Sequence, residues 1–350
     1  MMLRARLPFA LAAAAAAAVG LFGCRDSRRH EAALDGSITI IVGGIDKVIY
    51  LPAKLTEQLG YFKEEGLTVR LLSEQGGSTA EISLISGDAQ GVVGFYDHTI
   101  DIQTKGKCIQ SVVQMANIPG EVEVVSVKKA DVIKGPADFK GKRLGYTSPG
   151  SSTDFLTQYL AIKHGISTSD YIGVKAGAGS TFVAAMDHGS IEAGMTTDPT
   201  VAVLVRTGRA KVLLDMRTEE GTRAALGGLY PASSLYMNCD YVARYKENVQ
   251  KLANALVKGL KYIATHSAEE IAAKMPADFA AGNKSLYIEA IHDSKTMFNG
   301  DGKMSAEGAK NVLEVLAQCS ANVKGKKDRV DLAKTYTNEF VDRVPADHTP

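Results

Sequence analysis

Ser148-Pro149-Gly150-Ser151-Ser152-Thr153-Asp154 gathers hydroxyls, a Pro-Gly turn and a carboxylate just ahead of an apolar helical run. Free N–H groups and the partial positive charge of a helix N-terminus, joined by hydroxyls, suit an anionic ligand group. Capping by Ser152 or Thr153 is the competing use. Gly76-Gly77-Ser78-Thr79 offers a second terminus with the same two uses. Asp46, Asp97 and Asp198 are of the type that receives an amine or ring N–H, and Lys47 and His98 of the type that meets a carboxylate or sulfonate. Tyr50, Phe95, Tyr96, Tyr146 and Tyr230 offer flat walls for an organic ligand, with core packing as the alternative. Asn117 follows a strand end and joins the set. The four cysteines are scattered, and no P-loop, Gly-x-Ser-x-Gly elbow or His-Glu-x-x-His occurs. The expectation is a binding chemistry without catalysis, cofactor or metal.

Positioning those residues falls to an α/β framework that repeats itself. Gly43 and Gly145, Gly77-Ser78-Thr79 and Gly179-Ser180-Thr181, and Gly87 and Gly189 are each 102 residues apart. Strands are expected at 38–42, 67–72, 90–95 and 109–115, with helices between them; the pattern restarts over 138–146, with further strands at 172–175, 193–197 and 210–214. Alternating strands and helices imply right-handed crossovers and largely parallel sheets. Ligands bind beyond the C-terminal ends of such strands, which selects the loops holding Asp46, Tyr50, Gly77, Ser78, Tyr96, Asn117, Tyr146, Ser148, Ser151, Ser152, Thr153 and Asp198. Val122–Val127 and Ser233–Met237 read as two crossing hinge strands, and 245–318 as helices that pack back on lobe one. The expected division is lobe one at 37–128 and 236–345 and lobe two at 129–235.

The ends and the charge bound the setting. Arg4 and Arg6 precede an apolar run, Leu7–Phe22, in the pattern of a secretory signal over 1–23. Leu21-Phe22-Gly23-Cys24 resembles a bacterial lipobox, so Cys24 is expected to carry lipid and 24–36 to be a tether. Cys108, Cys239 and Cys319 remain, enough for one disulfide of undetermined pairing; buried thiols are the favoured reading. A net charge of +1 over 350 residues leaves no basic field for nucleic acid.

Several phrases resemble one family. Leu59-Gly60-Tyr61-Phe62-Lys63-Glu64-Glu65-Gly66-Leu67, Gly87-Asp88-Ala89-Gln90-Gly91, Asp138-Phe139-Lys140-Gly141-Lys142-Arg143 with Gly150-Ser151, and Gly189-Ser190-Ile191-Glu192-Ala193 ending at Asp198-Pro199 stand in family order. They resemble the solute-binding proteins of bacterial ABC importers for nitrate, sulfonates, taurine and thiamine pyrimidines. The resemblance implies a type II periplasmic-binding-protein fold, two Rossmann-like lobes closing on a small organic anion, zwitterion or heterocycle. It also implies a periplasmic monomer that partners an ABC permease and its ATPase. Asp198 stands at the family's acidic position, but Thr197 and Asp198 replace the Trp and Glu usual before the Pro. A sensor or adaptor, or a pyrimidine-synthase-like enzyme, is the alternative.

Overall fold

Runs rich in Val and Ile become strands, and helices fill the intervals, in the computed structural model of the chain, which describes residues 37–280 and 282–345. The signal segment, Cys24 and the tether lie outside the described residues. The strands are β1 (Ser37–Val42), β2 (Thr68–Ser73), β3 (Gly91–Phe95), β4 (Ile109–Gln114), β5 (Glu121–Ser126), β6 (Arg143–Tyr146), β7 (Ile172–Lys175), β8 (Ala193–Thr197), β9 (Ala210–Asp215) and β10 (Ser233–Asn238). They form two five-stranded sheets, ordered β2-β1-β3-β10-β4 and β7-β6-β8-β5-β9. Both orders follow one pattern, with a strand from the other half of the chain inserted between the third and fourth. β1 is parallel to β3, and β6 to β7 and β8. The inserted β10 and β5 run antiparallel to their neighbours.

The repeat is therefore one of topology, and its register slips at the first strands. Ile40 faces Gly91, whereas Leu144 faces Ala193. Third strands keep the 102-residue offset while first strands lie 104 apart. Gly145 consequently sits inside β6, and Thr147 is the positional counterpart of Gly43. The chain passes from the first sheet to the second between Gln114 and Glu121, and returns between Leu226 and Ser233. The expected division at 128/129 falls after β5, which pairs in the second sheet.

Strand alternation sorts β5 between two environments. Val122 and Val124 pack with Phe182, Met186 and Leu204. Glu121 and Glu123 point to the other face, both buried. Gly87, at φ 84°, takes the left-handed conformation that closes the Gly77–Ser86 helix. The Lys246–Thr265 helix packs on Leu51–Gln58 and Tyr61–Glu64 in the first half. The Ala306–Cys319 helix, capped by Ser305 as its sequence suggests, touches both Asp97–Gln103 and Ser152–Lys163. Beyond it the chain runs along the outer edge of β4, where Ser111 N donates to Thr335 O and Thr337 N to Ser111 O, each at 2.9 Å.

One thiol expectation is corrected. Cys108 and Cys239 form a disulfide, with Cα atoms 5.5 Å apart. Cys239 N donates to Cys108 O, which brings the start of β4 against the Cys239–Arg244 helix and fixes the approach. Among the described residues, Cys319 alone stays a buried free thiol.

Candidate functional site: the cleft between the sheets

The C-terminal ends of β1, β3 and β8, the loop after β6 and the start of the antiparallel β5 meet around one small cavity. The first half supplies Lys47, Tyr50, Gly77 and Phe95, and the second supplies Glu121, Thr147, Ser151, Ser152, Thr153 and Thr197. Its volume is about 20 Å³, which holds about one water. Lys47 also borders a mouth of about 250 Å³, with Asp46, Glu74 and Thr181 around it. The halves are held together beside the cavity. Ser78 Oγ lies 2.9 Å from Ser148 Oγ, Ser152 Oγ donates to Asp97 Oδ1 at 3.0 Å, and Val48 N donates to Asp198 O at 3.0 Å.

The hydroxyl-rich turn organises itself before it meets anything else. Ser151 Oγ donates to Ser148 O at 2.7 Å and lies 2.8 Å from Thr153 Oγ1, which accepts from Thr147 N at 2.9 Å. Asp154 accepts from Gly150 N and Gln158 Nε2, tying the turn to the Ser152–Lys163 helix it begins. Neither Ser152 nor Thr153 caps that helix through its side chain. Ser78 is not a cap either: Gly76 begins the Gly77–Ser86 helix, which frees the Ser78 hydroxyl for Ser148. Tyr50 and Phe95 meet edge to face, with centroids 6.4 Å apart, as the apolar wall.

Buried charge surrounds this wall. Lys47 Nζ donates to Gly43 O at 2.8 Å, and burial pushes its pKa down to about 8 against the pull of Asp46 and Glu121. Burial holds the Glu121 carboxyl well above the usual range, and the nearby Asp97 and Glu123 act in the same direction. Asp97 is raised by burial too, although Ser152 and Tyr230 (2.9 Å) donate to it. His98 lies wholly inside, its Nδ1 2.9 Å from Glu81 Oε2 in an ion-pair contact outside hydrogen-bond angles. Burial opposes its charge, but Glu81, Asp97 and Asp101 outweigh it and raise the pKa to about 9. Gly77 is required above it, since a Cβ there would stand 2.5 Å from His98 Nε2.

Of the residues expected in the site, Tyr50, Gly77, Ser151, Ser152 and Thr153 line the inner cavity and Asp46 the mouth. Ser78 and Ser148 join across it. Four others line neither space. Tyr96 turns into the core, where its hydroxyl bonds Thr335. Tyr146 lies across Gly173 on β7. Asn117 sits in the crossing segment and lines neither the inner cavity nor its mouth, with its side-chain Oδ1 buried and unpartnered. Asp198 is committed to Ala202 N, Arg217 and Ser294 Oγ. Glu121, Thr147 and Thr197 were missed. Glu121 had a readable signal, a carboxylate alternating with Glu123 in an otherwise apolar strand.

A family model described as NMT1/THI5 like matches residues 50–270, more than half of the chain. The chain belongs to the NMT1/THI5-like family. A protein of known structure from Bordetella bronchiseptica RB50 is 35% identical and superposes with a TM-score of 0.84, over 88% of this chain and 96% of that one. The alkanesulfonate-binding protein SsuA from Xanthomonas axonopodis pv. citri, bound to MOPS, superposes with a TM-score of 0.69 at 17% identity, over 86% and 98%. That likeness establishes the shared two-sheet fold of periplasmic binding proteins. Among curated relatives, the 4-amino-5-hydroxymethyl-2-methylpyrimidine phosphate synthase of Aspergillus parasiticus is 27% identical over 63% of this chain. The match spans 64% of that relative's length. The expectation of a chain without catalysis is corrected here, because this relative and others from Saccharomyces cerevisiae in the family are named as enzymes.

Proposed function

We propose that this NMT1/THI5-like chain is an exported solute-binding protein whose two lobes close on a small organic anion, zwitterion or heterocycle and deliver it to an ABC permease. The observation that carries the reading is the inner cavity, to which both sheets contribute hydroxyls and ionisable groups and across which the halves bond directly. Side chains of this kind, few and convergent at a junction of two units, are the usual makings of a small-ligand site. The first sheet defines lobe one and the second lobe two, with the crossings at 115–120 and 227–232 as the hinge. Export is supported by the signal-like segment and by the Cys108–Cys239 disulfide, which suits an oxidising compartment. Lipidation at Cys24 would tether the protein to a membrane.

The names of the fungal relatives favour a second reading, an enzyme of pyrimidine synthesis on the same cleft. A thermal-shift screen of the folded, ligand-free domain against nitrate, sulfonates, carboxylates, amino acids and pyrimidines tests the first. A ligand at 100 times its Kd adds about 2.7 kcal/mol of apparent stability. Mass spectrometry of the recovered compound separates the two readings. An unchanged ligand supports binding and delivery, whereas a converted one supports the enzyme. No shift with any compound would count against the solute-binding reading.

A further inference from the structure

A carboxyl oxygen that lines the inner cavity is buried without a partner. Ser151, Ser152 and Thr153 are engaged by Ser148, Asp97 and Thr147, and Lys47 by the Gly43 carbonyl. Glu121 is 2% exposed, lines the cavity, and its Oε2 has no hydrogen-bond partner. It forms no ion pair with Lys47, which borders the same space from the other half of the chain. A buried carboxyl oxygen left unmatched is costly, and a group that supplies a donor relieves that cost. Tyr50 and Tyr230 add neutral hydroxyls nearby, while the ionisable groups acting on Glu121 are Asp97, Glu123 and the single cation Lys47. A positively charged or strongly polarised N–H seated there pairs the Glu121 oxygen and draws its carboxyl toward the charged form, which a bare anion cannot do.

We propose that Glu121 sets the specificity of the cleft by requiring a nitrogen-centred donor on the solute, an ammonium, amidine or ring N–H, seated on its free carboxylate oxygen. The acidic end of the solute then lies toward Lys47 and the Ser151–Thr153 turn. This inference rests on the solute-binding reading and narrows it, because nitrate and simple alkyl sulfonates or carboxylates carry no such donor.

The test uses compounds that differ by a single amino group: 2-aminoethanesulfonate against ethanesulfonate, 3-aminopropanoate against propanoate, and 4-amino-5-hydroxymethyl-2-methylpyrimidine against its 4-deamino analogue. Each is titrated calorimetrically into the wild type, Glu121→Met and Glu121→Gln. The amino member of at least one pair is expected to bind, with its partner weaker by about tenfold or more. In Glu121→Met that ratio falls to within about threefold, while Glu121→Gln, which keeps an acceptor, retains part of it. Amino-free compounds binding the wild type as tightly as their partners would overturn this inference and leave the solute-binding reading standing. A ratio that survives in folded Glu121→Met does the same. If that variant does not fold, the wild-type ratio alone decides. Failure of every compound to bind folded wild type overturns both.

Discussion

His98 sits beneath Gly77 with Glu81 against one ring nitrogen, so its protonation is tied to folding. Its pKa is about 9 in the fold against 6.5 as the ordinary value. The stabilisation is complete below about pH 6.5 and is lost as pH rises through 9, a change of roughly 3 kcal/mol. Lys47 acts in the opposite sense, because folding lowers its pKa from 10.5 to about 8 and stability recovers across that interval. Thermal midpoints should therefore fall most clearly between pH 6.5 and 8, and His98→Asn should flatten that fall. A wild-type profile already flat there would refute the assignment. Residue type alone pointed to the Ser151–Thr153 turn, which lines the inner cavity, since hydroxyls and glycine crowd together there in the sequence. It could not locate Asp198 or Tyr96 correctly. Their partners, Ser294 and Thr335, are 96 and 239 residues away, and no local pattern reports such pairings.

Among elements, β5 carries the least usual burial. Glu123 is fully enclosed, both carboxyl oxygens lack partners, and burial holds its pKa well above the ordinary 4.5. The native state keeps a proton that the unfolded chain loses above pH 4.5, so stability declines as pH rises, by about 1.4 kcal/mol per unit for this one proton. Glu123→Gln imitates the protonated group. Urea melts should show the variant and wild type converging near pH 4.5 and the variant ahead at pH 7, and parallel profiles would contradict this account. The disulfide closes a loop of 131 residues between β4 and the Cys239–Arg244 helix. Reducing it, or Cys108→Ser with Cys239→Ser, should lower unfolding stability by about 4–5 kcal/mol on the chain-entropy estimate. An unchanged urea midpoint would show that the crosslink constrains little. Strongly patterned elements were legible: the repeat predicted both halves, and 268–274 and 306–318 emerge as helices almost as expected. The Glu219–Leu226 helix was not, because a glycine interrupts its polar run and only Thr218, accepting from Gly221 N, marks its start.

At the scale of the whole molecule, a cavity of about 20 Å³ between bonded halves describes a closed arrangement. On the proposed solute-binding reading, a solute larger than water enters only if the halves part, and the crossings at 115–120 and 227–232 are where the chain would bend. Ser152→Ala removes a hydrogen bond to the buried Asp97, of a kind worth about 1.5–3 kcal/mol. Small-angle scattering should give a larger radius of gyration for the ligand-free variant than for the wild type, and a bound solute should restore the smaller value. Identical scattering from both would show that this contact does not hold the halves together. The topology was legible because two similar halves leave few ways to arrange their strands. The crossings were harder to place, since the inserted strands look like any other apolar run. The segment along β4 has one more consequence. An outermost strand with open amides invites a strand from another copy, and Thr335–Thr337 occupies those sites in advance. The last turns of the chain thereby act as a fitted guard against self-association, and trimming them would leave a fold of correct order that tends to clump.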